Sequence, residues 1–194
     1  LVNHDKYYKW IKNCNHGHVL LSPSDACDLT LDPDTANIEL TLSEGNKKAT
    51  HGARQSYPDL PQRFDYFHQV TCREELTGRC YWEVEWSTGK SEDVAVGVSY
   101  KGIFRKEKDD QCRFGGNVMS WCFGHRWWNP SEATLYEEHN KQCCNLPLPS
   151  AGCTRLGVFL DWPAGTLSFY NVVSDTLSHL HTFWACLPSL LDWA

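Results

Sequence analysis

The groups in this sequence that could do chemistry are carboxylates in strand-like stretches and short clusters of histidine and cysteine. Asp161 and Glu83 look catalytic when each is taken alone, since paired carboxylates perform general acid–base chemistry. A carboxylate that ends a strand before a turn more often accepts hydrogen bonds from the turn, and we favour this interpretation. No motif centred on serine or cysteine marks a nucleophile. The sequence therefore predicts no catalytic residues.

Two histidine clusters resemble fragments of metal sites. Cys14, His16 and His18 lie at alternate positions, and His179 and His181 share one face of a predicted strand. The first spacing matches no common closed zinc site, so we interpret it as part of a polar leader. We interpret the second pair as exposed strand histidines. We therefore predict no metal ion and no cofactor.

The chain contains 10 cysteines, an even number that is compatible with a disulfide framework. That interpretation is strong mainly for small secreted chains, and the sequence shows no signal-like segment. The cysteines include no Cys-x-x-Cys pair of the kind used by zinc sites. We expect reduced thiols packed as small hydrophobic groups, which favours a cytoplasmic location, with disulfides as the alternative.

Aromatic residues within polar loops are the strongest candidates for a binding site, because exposed Trp and Arg are the commonest interface anchors. Adjacent tryptophans on a strand point in opposite directions, so one of Trp127 and Trp128 can be exposed. We expect the loops at 57–69, 101–108 and 124–130 to form one groove with one of these two tryptophans at its centre. The alternative, in which each aromatic residue closes its own loop, stays open. The candidate partner-binding residues are Tyr66, Phe67, Phe104, His125, Arg126, Trp127 and Trp128.

Alternation with a period of two predicts the strands that position these loops. Residues 156–170 hold two alternating runs around Pro163 and Gly165, which predicts a β-hairpin. Residues 80–86 alternate as a strand with one buried face. About ten to twelve such strands predict an antiparallel sandwich or barrel. Further strands are predicted at 27–31, 38–42, 70–72, 94–100, 119–123, 135–139 and 177–183, an edge strand at 47–54, a short helix around 7–14, and loops at 57–69, 101–116, 124–130 and 143–151.

The composition of the chain limits the class of partner. The net charge of -6 argues against nucleic acid as the main partner. The longest apolar runs are only a few residues, so no membrane span is predicted.

The predicted core consists of the inward-facing positions of the predicted strands. The predicted core residues are Trp82, Val84, Trp86, Val158, Leu160, Leu167 and Phe169.

Three motifs, in the right order and at suitable spacings, resemble the signature motifs of PRY-SPRY domains. They are Leu31-Asp32-Pro33, the Tyr-Trp-Glu-Val-Glu stretch at 81–85, and residues 160–171. Residues 57–59, 76–80 and 112–121 resemble the fish branch of this family, which occurs in tripartite-motif proteins, NOD-like receptors and stonefish-type toxins. The resemblance covers residues 25 to 183.

The resemblance implies an all-β fold, a bent antiparallel β-sandwich of two sheets preceded by a short N-terminal helical or irregular leader. The implied boundaries are a leader at 1–24 and a PRY-SPRY domain at 25–183, with PRY at about 25–69 and SPRY at about 70–183. Residues 184–194 depart from the usual strands that end the family's fold, and we treat them as an atypical tail.

The resemblance also implies a non-enzymatic module that recognises a protein through loops at one end of the sandwich. Its implied context is an intracellular innate-immune or ubiquitin-ligase protein. Any ligase activity and zinc would then lie in an upstream RING domain, and any oligomerisation would come from upstream domains. The alternative context is the C-terminal domain of a stonefish-type pore-forming toxin. The sequence does not name the protein partner.

Overall fold

The computed structural model describes residues 8–11, 22–87, 93–127, 133–174 and 176–184. These residues form eleven strands and two short 3-10 helices, Pro23–Asp25 and Asp110–Cys112. The strands are β1 Tyr8–Ile11, β2 Leu40–Ser43, β3 Lys48–His51, β4 Arg79–Trp86, β5 Val94–Ser99, β6 Ser120–Trp127, β7 Ala133–His139, β8 Gln142–Pro147, β9 Arg155–Asp161, β10 Thr166–Val173 and β11 Thr176–Trp184. Within the described residues, no helix has the length and apolar character needed to cross a membrane.

The strands form two antiparallel sheets, which confirms the predicted β-sandwich. The larger sheet has the order β11-β10-β9-β4-β1-β3-β2, and the smaller has the order β5-β6-β7-β8. Their inner faces meet in one apolar core. Phe123 of β6 stacks on Phe169 of β10 across this core, with ring centroids 5.0 Å apart. Burial of these facing apolar surfaces is the main force that holds the sheets together.

The β9–β10 hairpin forms as the alternation predicts. The amide of Gly165 donates to the carbonyl of Trp162 at 3.1 Å, and Gly165 adopts a φ of 66°. Glycine takes this left-handed conformation without a steric cost. Asp161 Oδ1 accepts a hydrogen bond from the amide of Ala164 at 3.0 Å, so the interpretation of Asp161 as a turn acceptor is confirmed.

All seven predicted core residues are buried, each with at most 3 % of its surface exposed. The prediction of a single buried face on β4 is wrong, because Tyr81 and Glu83 on its second face are also buried. The Tyr81 side chain packs against Gly157 of β9, where a Cβ would lie 2.7 Å from the Tyr81 hydroxyl, and this hydroxyl donates to Glu83 Oε1 at 2.7 Å. Arg155 Nε donates to Oε2, the other oxygen of Glu83. The buried carboxylate is therefore held in an ion pair with Arg155, which is a structural role.

The predicted N-terminal helix is wrong for the four residues that the structure describes there. Tyr8–Ile11 forms strand β1, which pairs with β3 on one side and β4 on the other. A strand between two others satisfies its backbone groups on both edges, which a single helical turn cannot do. Cys14, His16 and His18 lie outside the described residues.

Five further predictions, three of strands and two of loops, need correction. Residues 27–31 and 70–72 form only the isolated bridges Ala26↔Tyr81 and Leu31↔Cys72. Strand β3 lies inside the larger sheet, and β2 takes the edge position. Strand β8 occupies part of the predicted 143–151 loop, and β6 continues past Gly124 to Trp127. The predicted 57–69 loop contains no strand and is confirmed.

The expectation that the thiols are all reduced is wrong for one pair. Cys27 and Cys80 form a disulfide, with their Cα atoms 5.6 Å apart. Cys14 and Cys186 lie outside the described residues. The free cysteines of the described chain are Cys72, Cys112, Cys122, Cys143, Cys144 and Cys153.

Candidate functional site

A groove of about 1180 Å³ opens between residues 68–76 and residues 95–107. Strand β5 is an edge strand of the smaller sheet within the described chain, and its residues 95–99 line the groove. Lys101 Nζ pairs with Glu75 Oε1 at 2.7 Å, so an exposed ion pair joins the two walls. A concave site of this size on a rigid sheet edge can accommodate a ligand or a peptide segment.

Three aromatic residues that contact one another, Tyr100, Trp121 and Trp162, line the groove and are called its aromatic floor. Tyr100 meets Trp121 edge to face with centroids 5.8 Å apart, and meets Trp162 in the same way at 6.2 Å. Trp121 also stacks on His139 at 4.4 Å. Burial raises the pKa of the Tyr100 hydroxyl, which keeps it neutral. This floor suits an apolar or proline side chain.

Phe104 lines the groove with 61 % of its surface exposed. Its neighbour Ile103 is buried, and the amide of Ile103 donates to the carbonyl of Tyr100 at 3.2 Å. The loop is therefore anchored beside the position from which Phe104 projects. A large exposed apolar ring on an anchored loop is suited to contact with a partner.

The 57–69 loop lies against the loop that carries Phe104. The amide of Asp65 donates to the carbonyl of Arg105 at 3.0 Å. Lys106 Nζ contacts carboxylate oxygens of Asp59 at 2.8 Å and of Asp65 at 2.9 Å. These contacts bring together the two loops that carry three of the candidate residues. Those three are Tyr66, which is 54 % exposed, Phe67, which is half-buried, and Phe104.

Arg63 holds the 57–69 loop in place, and no pattern in the sequence predicts this role. Its side chain is buried and donates to the carbonyls of Pro58 at 2.8 Å, Pro33 at 2.8 Å and Ala36 at 2.6 Å. These carbonyls belong to irregular segments that lack strand partners, so a buried guanidinium satisfies them. The sequence offers no periodic signal for such a residue.

The described residues of the third predicted loop, 124–127, do not line this groove, and the groove formed by all three loops stays a prediction. Ser99 pairs with Ser120, and Val94 pairs with His125, so β5 and β6 run side by side from one end of the sheet to the other. Phe104 follows the end at Ser99, whereas His125 lies five residues away along the strand, about 17 Å at the usual rise per residue. Trp128 and the side chain of Trp127 lie outside the described residues.

His125 and Arg126 lie at the end of β6 away from Phe104, and both are packed within the domain. His125 is 3 % exposed, and burial lowers its pKa, which argues against direct contact with a partner. Arg126 lies with its guanidinium 4.2 Å from the ring centroid of Tyr136 and pairs with Asp93 at 2.9 Å. A role for these residues in partner binding stays a prediction.

Two family descriptions match most of the sequence that forms this groove. The SPRY-associated domain, PRY, matches residues 29–76, and the SPRY domain matches residues 79–186. This chain belongs to the PRY-SPRY family. The signature motifs of this PRY-SPRY domain lie at the Leu31 bridge, on β4 and in the β9–β10 hairpin. The PRY-SPRY fold is a non-catalytic interaction fold.

The relatives of this PRY-SPRY domain come from two kinds of protein. Stonustoxin subunit beta of Synanceia horrida is 48% identical over 158 residues, which cover 81% of this chain and 21% of that protein. Tripartite motif-containing protein 16 of Mus musculus is 38% identical over 161 residues, which cover 81% of this chain and 27% of that protein. The chain therefore spans about a quarter or less of the length of these relatives.

Solved structures give the same division. The stonustoxin structure aligns with a TM-score of 0.72 and 43% identity, covering 84% of this chain and 24% of that chain. The crystal structure of the TRIM65 PSpry domain aligns with a TM-score of 0.69 and 27% identity, covering 85% of this chain and 82% of that chain. Both likenesses agree with the predicted PRY-SPRY sandwich.

Proposed function

We propose that this PRY-SPRY domain binds an extended segment of a protein partner along β5, in the groove that Phe104 borders. The observation that carries the proposal is the edge position of β5 among the described strands, with its residues 95–99 lining the groove. An edge strand presents backbone donors and acceptors that an extended peptide can pair with.

The register of β5 indicates which backbone groups would serve. The amide of Tyr100 donates to the carbonyl of Met119, which makes this a hydrogen-bonded pair. Hydrogen-bonded pairs alternate along antiparallel strands, so Val98 and Val96 also direct their backbone groups to β6. The backbone groups of Gly97 and Ser99 then point away from β6 and towards the groove.

The aromatic groups at the groove would supply the anchors for such a segment. An apolar partner side chain can pack on the floor formed by Tyr100 and Trp162, with Phe104 at the rim. Charged side chains of both signs surround it, including Arg73, Glu74 and Lys101, so the floor rather than net charge would select the partner.

Peptide selection tests this proposal and does not require the partner to be identified first. Peptides selected from a display library for binding to the chain would be titrated by fluorescence anisotropy. Phe104→Ala should raise the Kd by on the order of tenfold, because exposed aromatic anchors dominate binding energy. Val118→Ala is the matched control, since Val118 is also 61 % exposed but does not line the groove.

A second variant tests the backbone contribution. Ser99→Pro removes one amide donor that faces the groove while leaving the pairing of β5 with β6 in place. The Kd should rise for this variant, with circular dichroism confirming that the sheet is intact. Unchanged affinity in both Phe104→Ala and Ser99→Pro, in folded protein, would refute binding along β5.

We propose the cytoplasm as the setting, with this domain as the recognition part of an innate-immune or ubiquitin-ligase protein. Similarity to tripartite motif-containing protein 16 and to the TRIM65 PSpry domain supports this context. The exposed free thiols of Cys143 and Cys144 suit a reducing compartment. Any ligase activity would then belong to a RING domain elsewhere in the protein.

The second candidate is the C-terminal domain of a stonefish-type pore-forming toxin. Its support is the 48% identity to stonustoxin subunit beta and the Cys27–Cys80 disulfide, a bond typical of secreted proteins. Alkylation of the natural protein before reduction, followed by peptide mass spectrometry, separates the two. Free thiols at the cysteines other than Cys27 and Cys80 favour the cytoplasmic context, and further disulfide-linked peptides among them favour the toxin.

A further inference from the structure

Three side chains that can ligate a metal meet where the 57–69 loop contacts the β2–β3 hairpin. They are Glu39, His51 and His68, and one ligand atom of each lies within 4.8 Å of the others. His68 Nε2 is 3.1 Å from Glu39 Oε2, and His51 Nε2 is 3.7 Å from the same oxygen. The two imidazole rings have centroids 4.2 Å apart. The three residues therefore surround one small volume.

Backbone hydrogen bonds hold these three residues together. The amide of Gly52 donates to the carbonyl of Glu39 at 2.9 Å, which fixes Glu39 beside His51. The amide of Asn37 donates to the carbonyl of Gln69 at 3.0 Å, which brings the residue before Gln69 to the same place. The backbone of the fold therefore places these three side chains next to one another.

We propose that Glu39, His51 and His68 form a binding site for a divalent transition metal, with Zn²⁺ as the first candidate. Ligand atoms around tetrahedral zinc lie about 3.3 Å apart when each bond is about 2.0–2.1 Å long. The distances of 3.1 Å and 3.7 Å lie on either side of that value. Imidazole nitrogens favour zinc, copper or nickel over calcium or magnesium.

The site is accessible and has room for a further ligand. The side chains of His51, Glu39 and His68 are 31%, 37% and 47% exposed. An ion can therefore enter from solvent, and a water molecule or a partner group would complete its coordination. Binding would link the 57–69 loop to the hairpin and fix the position of the neighbouring Tyr66 and Phe67.

Isothermal titration calorimetry with zinc chloride tests the site in the folded chain. Cys143→Ser and Cys144→Ser are introduced first, because exposed thiols also bind zinc. Glu39→Gln, His51→Gln and His68→Gln should each weaken zinc binding by about 10–100-fold or more, since even residues that only support metal ligands have effects of that size. The control is His179→Gln, an exposed strand histidine outside the cluster.

Two further measurements separate a metal site from an ordinary carboxylate–imidazole hydrogen bond. Zinc should raise the melting temperature of the starting protein, because a ligand of the folded state stabilises it, and this rise should vanish in His68→Gln. Bound Co²⁺ should give a spectrum without a thiolate charge-transfer band. Zinc affinity that is equal in the three variants and in His179→Gln would overturn the proposal, as would a thiolate band.

Discussion

Arg113 and Glu138 form a two-pronged ion pair that ties the loop after β5 to strand β7. Arg113 Nη1 and Nη2 donate to the two carboxylate oxygens of Glu138 at 2.7 Å and 2.6 Å. Glu138 is 5 % exposed, so loss of the guanidinium would leave a buried carboxylate without its principal partner. We expect Arg113→Ala to lower the free energy of unfolding by about 3 kcal/mol in urea denaturation.

The control for Arg113 is Lys101→Ala, because Lys101 and Glu75 form an ion pair that is exposed on both sides. An exposed pair adds little to stability, so this variant should unfold like the unmodified protein. Arg113→Lys should lie between the two, since lysine keeps the charge but not the planar fork. Equal losses for Arg113→Ala and Lys101→Ala would contradict the prediction.

Arg63 should be essential for the order of the 57–69 loop. Arg63→Ala leaves the carbonyls of Pro58, Pro33 and Ala36 without their shared donor. We expect a loss of at least about 2 kcal/mol in unfolding free energy, the scale of hydrogen bonds to a charged group. Hydrogen exchange should rise in this loop while β9 and β10 stay protected. The control is Arg73→Ala, whose side chain is 57% exposed; an equal effect there would contradict the role of Arg63.

His125 should make the protein less stable in mild acid. Burial lowers its pKa below the ordinary value of 6.5, so the unfolded chain takes up the proton first as the pH falls. The stability that neutral His125 provides is present above pH 6.5 and is lost as the pH falls below that value. Thermal unfolding of His125→Gln between pH 7 and pH 5 should therefore depend less on pH than that of the unmodified protein. The same dependence in both would contradict this assignment.

The free thiols should fall into two reactivity classes. Burial raises the pKa of Cys72, Cys122 and Cys153 to about 12, so these should resist iodoacetamide until the protein unfolds. Cys143 and Cys144 are exposed and should react in the native protein. Peptide mass spectrometry after labelling at pH 8 gives the order in which the thiols react. Labelling of Cys72, Cys122 or Cys153 in the native protein would contradict the prediction.

Removal of the negative charge of Glu137 tests why the pKa of the Cys144 thiol is raised. A hydrogen bond with Glu137 is the largest cause that raises the pKa of the Cys144 thiol. Glu137→Gln should therefore speed the labelling of Cys144, because more of it becomes thiolate at a given pH. Glu107→Gln serves as the control on a different loop, and it should leave the labelling rate unchanged.

The fold was predictable where strands have one polar and one apolar face. Leu167 and Phe169 alternate with polar residues, and both are buried as expected. Strand β8 escaped prediction because its residues are mostly exposed, so an edge strand leaves no pattern of burial in the sequence. Tyr81 and Glu83 were expected to be exposed but are buried. Their partners Gly157 and Arg155 are distant in the sequence, and only the tertiary structure brings them together.

The candidate site was predictable only in its local parts. Phe104 and Tyr66 are exposed aromatic residues in adjoining loops, which their polar surroundings suggested. The distance from Phe104 to His125 could not be inferred, because loop composition does not indicate which end of a sheet a loop occupies. The cluster of Glu39, His51 and His68 left no motif, since its members lie 12 and 17 positions apart in the chain.

The Cys27–Cys80 disulfide joins residues 53 positions apart and closes a covalent ring around the whole proline loop. A protease that cuts once within this ring would leave both pieces attached to each other. Such a clipped molecule would run as one band on a gel without reductant and as two bands with it. The loop beside the groove could thus be severed while its two cut ends stay tethered to the same sandwich.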